Sequence, residues 1–190
     1  MILPIFSKPI FVTNINFDFK EVLQEVKNVE FEKIITSDYF PTDSSVSKST
    51  KILDNTIFKP LQKLILEKFK EYVYDHLRYH DYKFTIKDSW LTKTSFNEKS
   101  EIHNHRNSNF SGVLYLQTKN SDAEITFLDL SKRGQIFEPK ENNIYNSEIW
   151  KIPVQDNNLI FFPAEVHHKI SINKKHSERI SLAIDFVVCN

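Results

Sequence analysis

The hydrophobic rhythm of the chain changes near Phe84: apolar positions recur at helical spacing before it and in short alternating or continuous runs after it. Phe19 to Val29 places Phe19, Val22, Leu23 and Val26 on one helical face, with Asp18 positioned as an N-cap. Ile57 to Tyr79 predicts the stronger helix, with Leu61, Leu64, Ile65, Phe69, Tyr72, Val73 and Leu77 on one stripe and Pro60 in the first turn. His76 and His80 read as helix-surface or capping residues. Ser37 to Thr50, rich in Ser, Thr and Asp, reads as a loop.

Beyond Phe84 the pattern predicts strands at Ser89–Phe96, Gly112–Thr118, Glu124–Leu128, Ile149–Val154, Asn158–Phe162, Lys169–Ile172 and Arg179–Val188. Turn-forming residues separate them at Asn97–Ser100, Lys119–Asp122, Asp156–Asn157 and Asn173–Ser177. Many short strands at such spacing imply a β-sandwich or jelly roll. With helices first and strands after, the expected fold class is mainly β with N-terminal helices (α+β), the helices packing on one face of the β core.

Composition narrows this picture. A chain of 190 residues suffices for one well-buried domain and is short for two. The expected organisation is a single domain, with helical support over 1–83 and a jelly-roll core over 84–190. Lys+Arg and Asp+Glu number 25 each, so charge favours neither nucleic acid nor a membrane surface as partner. The one cysteine, Cys189, excludes an intrachain disulfide and a Cys-based zinc site, and suits a reducing, cytoplasmic compartment. No apolar run is long enough for a membrane span. The start, Met1 to Phe6, has no basic region or small-residue cleavage site and does not read as a signal peptide. Two glycines are too few for a P-loop or a dinucleotide fingerprint.

Candidate chemistry lies in the β half. His103 and His105 stand just before a predicted strand, and residues i and i+2 of an extended segment share a face, so both rings can reach one point. His168 follows Phe161-Phe162-Pro163, where a buried strand ends. Imidazole is the commonest first-row metal ligand, and a facial set with open positions suits non-haem Fe(II). In Arg179 to Phe186, alternation puts Arg179, Ser181, Ala183 and Asp185 on one face and Ile180, Leu182, Ile184 and Phe186 on the other. An inward Arg and Ser make a receptor for a carboxylate, bound bidentately by the guanidinium with a further hydrogen bond from the hydroxyl. The letters His103-Asn104-His105 also spell the name of a nuclease motif, but a nuclease would carry basic bias, and this chain is charge-balanced.

Together these residues resemble the 2-oxoglutarate/Fe(II)-dependent oxygenases. The most similar branch is frequent in phages and marine bacteria, with a core reading His-x-His-x-x-(Ser/Asn)-x-x-Ser-Gly-Val-x-Tyr-Leu. The resemblance runs from Ser89 to Val187, about half the chain. It is carried by Ser89-Trp90, His103-Asn104-His105, Ser111-Gly112-Val113-Leu114-Tyr115-Leu116, Phe161-Phe162-Pro163, His168-Lys169-Ile170 and Glu178-Arg179-Ile180-Ser181. It implies a cupin-like double-stranded β-helix (jelly roll) with Fe(II) as metal and 2-oxoglutarate and O2 as cosubstrates. The implied reaction is hydroxylation of a C–H bond with release of succinate and CO2. His103 matches the first metal-binding His and His168 the distal one. Arg179, Ser181 and Tyr115 match the residues that hold the distal carboxylate of 2-oxoglutarate. Trp90 matches a position near the pocket, where core packing is the other reading.

The chain departs at His105 from most of the wider superfamily, which has Asp or Glu there. The favoured account makes His105 the third ligand, so that His103, His105 and His168 form the catalytic metal set; a two-His site completed by water and an approach by Glu101 are the other accounts. His167 adjoins His168 and competes with it in alignment, and the spacing to Ile170 favours His168. Resemblance to peptidyl hydroxylases implies a protein side chain as primary substrate, with a small molecule as the other class. Loops Asn97–Ser100 and Leu130–Ser147, the second carrying Arg133, Lys140 and Tyr145, are expected to rim the pocket. Two other readings stand: a three-His cupin-type dioxygenase that does not use 2-oxoglutarate, and a non-enzymatic jelly-roll module. Open strand edges would suit a homodimer.

Overall fold

The computed structural model describes residues 7–33, 44–119, 123–130 and 139–189. Its strands are β1 (Phe11–Asn14), β2 (Phe31–Lys33), β3 (Ser45–Ser47), β4 (Lys83–Thr94), β5 (Phe110–Gln117), β6 (Glu124–Leu128), β7 (Ile149–Pro153), β8 (Asn158–Pro163), β9 (His167–Ile170) and β10 (Arg179–Cys189), and its helices are α1 (Lys20–Val26) and α2 (Lys59–Lys70). Among the described residues a seven-stranded sheet in the order β1-β8-β5-β10-β4-β3-β2 faces a three-stranded sheet in the order β7-β6-β9. Every strand pairing within them is antiparallel. This is the double-stranded β-helix expected from the sequence.

The large sheet carries a core on each face. Against the helices, Leu114, Phe161, Leu182, Ile184 and Phe186 pack on Leu61, Ile65 and Phe69 of α2 and on Val22 and Val26 of α1. Between the sheets, Val113, Tyr115, Ile160 and Phe162 meet Ile125, Phe127 and Val166. Strict alternation along β5, β8 and β10 makes this possible, since each strand contributes to both cores. Gly112 serves a close approach within the sheet: a Cβ there would lie 2.6 Å from the Phe161 ring, which crosses over it from β8.

The predicted strands are present with edges moved by a few residues, and β4 begins earlier than its sequence pattern suggested. Three strands were not anticipated, β1, β2 and β3, all at the flanks of the large sheet. Ser45–Ser47 is therefore strand rather than loop, held by its ladder to β4 and β2; residues 37–43 of that expected loop lie outside the described residues. In α1 the cap position falls on Phe19, and Asp18 Oδ1 instead accepts from the Lys20 amide at 3.0 Å. The long predicted helix is composite. A 3₁₀ turn precedes α2, and the chain continues as π-helical turns over Glu71–His76, which bury the adjacent Tyr72 and Val73 together. It ends where Arg78 takes a positive φ of 62°. Among the predicted turns, Asn97, Lys119 and Asn157 have positive φ, while 120–122 lie outside the described residues.

Candidate metal centre and cosubstrate pocket

Local pairing brings the histidines together. The segment before β5 runs antiparallel to β9, and His103 and His168 exchange both backbone hydrogen bonds, at 3.0 and 2.9 Å. The His105 amide donates to Ala164 O at 2.9 Å, fixing the segment against the turn after β8. The three rings converge, with His103 and His168 centroids 4.3 Å apart and His105 5.3 and 5.2 Å from them. One ligand atom from each of His103, His105 and His168 lies within 4.8 Å of the other two, near enough to serve one ion. His103 is exposed at the mouth, His105 is half-buried and His168 is buried.

Each Nδ1 is already engaged. That of His103 meets Glu101 O at 2.8 Å, that of His168 meets Val166 O at 3.1 Å, and that of His105 meets Asp185 Oδ1 at 2.9 Å. Carbonyl and carboxylate oxygens only accept, so each Nδ1 carries a proton and Nε2 is the nitrogen left to face a metal. Loss of hydration lowers the pKa of His168 well below the ordinary 6.5, and nearby His103 lowers it further. His103 is lowered too, by loss of hydration first and by His105 second. Neutral imidazoles are the ligand form of histidine.

The remaining sequence candidates separate clearly. Strand alternation puts His168 inward, opposite Phe127 and against Phe162, whereas His167 pairs with Leu128 from the other face of the small sheet. Glu101 is not in the convergent set, and its carboxylate lies 2.6 Å from Lys99 Nζ. Trp90 stacks on His105 with centroids 5.5 Å apart, so it borders the cluster rather than only the core. Of the loop Leu130–Ser147, Arg133 lies outside the described residues, and Lys140 and Tyr145 are exposed.

The inner face of β10 carries Arg179, Ser181, Ala183 and Asp185, as alternation predicted. Tyr115 of β5 is the register partner of Ser181. Arg179 is 2% exposed and donates from Nη2 to Ser171 O at 2.7 Å. Its Nη1 and the hydroxyl of Tyr115 are buried without a hydrogen-bond partner. Burial pushes the Tyr115 phenol pKa up, Arg179 opposes this, and burial lowers Arg179 itself. An arginine remains cationic at neutral pH despite such a shift. Between this end and the histidines, Trp90, Thr92 and Ala183 are only half-buried although they lie on adjacent central strands. The floor there is open and built from small side chains at Ser181 and Ala183. Asp185, paired with His105, is the residue that sequence reasoning placed on the right face without a role. Its signal was the alternation shared with Arg179.

Fold and site thus define a double-stranded β-helix with a histidine cluster at its mouth and an arginine in its floor. Residues 88–185 match the family described as "Putative 2OG-Fe(II) oxygenase", and the chain belongs to that family. The architecture is similar to that of an oxidoreductase of the 2OG-Fe(II) oxygenase family from Burkholderia pseudomallei, at 11% identity and a TM-score of 0.61, covering 95% of this chain and 84% of that one. HygX from Streptomyces hygroscopicus, solved with nickel, 2-oxoglutarate and hygromycin B bound, is similar at 10% identity and a TM-score of 0.62, over 95% and 83% of the two chains. A prolyl-4-hydroxylase from Pseudomonas putida is similar at 12% identity and a TM-score of 0.57, over 97% and 95%. At these identities the likeness is one of fold. No curated protein matches in sequence. Among the described residues no helix is long and apolar enough to cross a membrane.

Proposed function

We propose that the protein is an Fe(II)- and 2-oxoglutarate-dependent oxygenase that hydroxylates a C–H bond. His103, His105 and His168 are the metal ligands; Arg179, Ser181 and Tyr115 receive the distal carboxylate of 2-oxoglutarate. The observation that carries this reading is the pair of buried, unpartnered polar atoms, Arg179 Nη1 and Tyr115 Oη, on the neighbouring strands β10 and β5, the first of which also carries Asp185 beside the histidine cluster. Leaving a buried polar group unsatisfied costs about 1–3 kcal/mol. One bound carboxylate would satisfy both. The donor set also suits the metal, because three imidazoles at an open mouth leave coordination positions for a chelating cosubstrate.

With iron held by His103, His105 and His168 and 2-oxoglutarate by Arg179, Ser181 and Tyr115, the bound pair would supply the oxidation, in which O2 would give one oxygen atom to the substrate C–H bond and the other to succinate formed with CO2 from the keto acid. The chain's part is to bind, orient and shield. The oxygens on each Nδ1 fix the rings so that Nε2 is the atom offered. Arg179, itself anchored on Ser171 O, presents its free nitrogen to a carboxylate, and Tyr115 donates from the neighbouring strand. Phe127 and Phe162 close the inner wall beside His168 and keep water from that side.

The substrate enters this reading as a protein side chain or a small molecule, approaching from the exposed side of His103. Resemblance to the phage and marine bacterial branch, which rests on the His-x-His core, and a cytoplasmic setting for the exposed thiol of Cys189 belong to the same proposal.

The test is an anaerobic titration of the purified protein with Fe(II) and then 2-oxoglutarate, followed by visible absorption. A saturable metal-to-ligand charge-transfer band that disappears in Arg179→Ala is expected. Iron binding without the band in the unmodified protein would replace this reading with a three-His dioxygenase that does not use 2-oxoglutarate. Binding of neither would leave a jelly-roll scaffold.

A further inference from the structure

Of the three histidines, His103 and His168 rest their Nδ1 protons on neutral backbone carbonyls, whereas His105 rests its proton on a carboxylate. That carboxylate, Asp185, is 8% exposed and accepts from Ser111 Oγ at 2.7 Å on the same oxygen. Among the described residues the only basic side chain paired with it is His105, which is no fixed charge. A carboxylate withdrawn from water needs positive charge close by. The place for that charge is the far side of the His105 ring, where the three imidazoles converge. The geometry is held on several sides: Asp185 and Ser111 are register partners on β10 and β5, and Trp90 stacks on the imidazole. The β4 ladder also shifts register between Asp185 and Phe186, an irregularity of the kind that re-aims side chains beside active sites.

We infer that Asp185 is the positioning and charge-balancing residue of the metal centre. It holds the Nδ1 proton of His105 so that Nε2 binds iron. It supplies through the ring the negative charge that a two-His-one-carboxylate set provides by direct ligation. The inference rests on the reading of His103, His105 and His168 as iron ligands, and it makes His105 the most strongly donating of the three. Ser111 is the residue that keeps the carboxylate turned toward the ring.

The experiment measures anaerobic Fe(II) dissociation constants, without 2-oxoglutarate, for the unmodified protein, Asp185→Asn, His105→Asp and the double variant. Asp185→Asn should weaken Fe(II) binding by roughly 10–100-fold. On addition of 2-oxoglutarate its charge-transfer band should lie at higher energy, because the iron is less electron-rich. In the His105→Asp background the sign should reverse. Two adjacent carboxylates repel, so removing the Asp185 charge should tighten Fe(II) binding there. A merely structural Asp185 would weaken binding in both backgrounds, and that result overturns the inference, as does an unchanged affinity in Asp185→Asn. Should Asp185→Asn fail to fold, Ser111→Ala keeps the carboxylate but loosens it, and must show a smaller loss in the same direction. An unmodified protein that binds no Fe(II) removes the underlying reading and this inference with it. Normal Fe(II) and 2-oxoglutarate binding together with an indifferent Asp185 removes the inference alone.

Discussion

The two faces of β10 use one backbone for opposite purposes. Toward the helices, Leu182, Ile184 and Phe186 are fully buried, and Phe186 stacks on Phe69 with centroids 3.7 Å apart and planes 4° from parallel. Burying each such side chain stabilises the fold by about 1.5–3 kcal/mol, and the face is complete as it stands. Toward the small sheet, Arg179, Ser181 and Asp185 are also buried, though less completely, and polar, and Arg179 retains an unpartnered nitrogen. That face keeps buried polar atoms that lack a partner. Packing on the helical side is what lets the inner side hold groups that are unfavourable in isolation.

The largest expected effect tests the finished face. Phe186→Ala should lower stability by about 3–5 kcal/mol, with or without Fe(II) and 2-oxoglutarate; urea unfolding midpoints under both conditions check this. A loss confined to one condition would mean that the two faces are not energetically separate.

Tyr115→Phe should behave in the opposite way. Without cosubstrate it removes a buried hydroxyl that has no partner, so stability should hold or rise by about 1 kcal/mol. Affinity for 2-oxoglutarate should fall roughly tenfold or more, since a hydrogen bond to a charged group contributes about 1.5–3 kcal/mol. Thermal melts and the charge-transfer titration separate these effects. A destabilised variant with unchanged affinity would assign Tyr115 to packing.

The smallest effect is with pH. In the folded, metal-free protein burial holds His168 well below 6.5, the value it regains on unfolding. Below 6.5 the unfolded chain therefore takes up a proton that the folded chain refuses, so stability falls with falling pH until the folded pKa is passed, then levels off. Above 6.5 this contribution is flat. Unfolding midpoints measured in chelator across that window should show a slope that His168→Gln reduces. An equal slope in the variant would place the titrating group elsewhere.

Much of the β half was legible in the sequence because burial on two sides leaves a strong local signature. The alternation from Arg179 to Phe186 assigned both faces of β10, and Glu124–Leu128 coincides with β6. The strands β1, β2 and β3 were not legible: each is three or four residues long and sits at a sheet flank, too short to show a period. The π-helical end of the long helix was hidden because α and π turns bury nearly the same residues, and only backbone hydrogen bonding five residues apart, as from Leu77 N to Tyr72 O at 3.1 Å, distinguishes them.

The site divides in the same way. Local spacing alone put His103 beside His105 and lined up Arg179, Ser181 and Asp185, because side-chain direction in an extended chain depends only on parity. Whether His105 turns toward the other two rings or toward solvent, and which of His167 and His168 turns inward, depended on how β9 pairs with β6 and with the segment around His103. The contact between His105 and Asp185 joins residues far apart in the chain through the register of β10 on β5. Register is a sum of many cross-strand contacts, none of which has a local trace. The sequence by itself determined the alphabet of the site, and only tertiary pairing decided which letters meet.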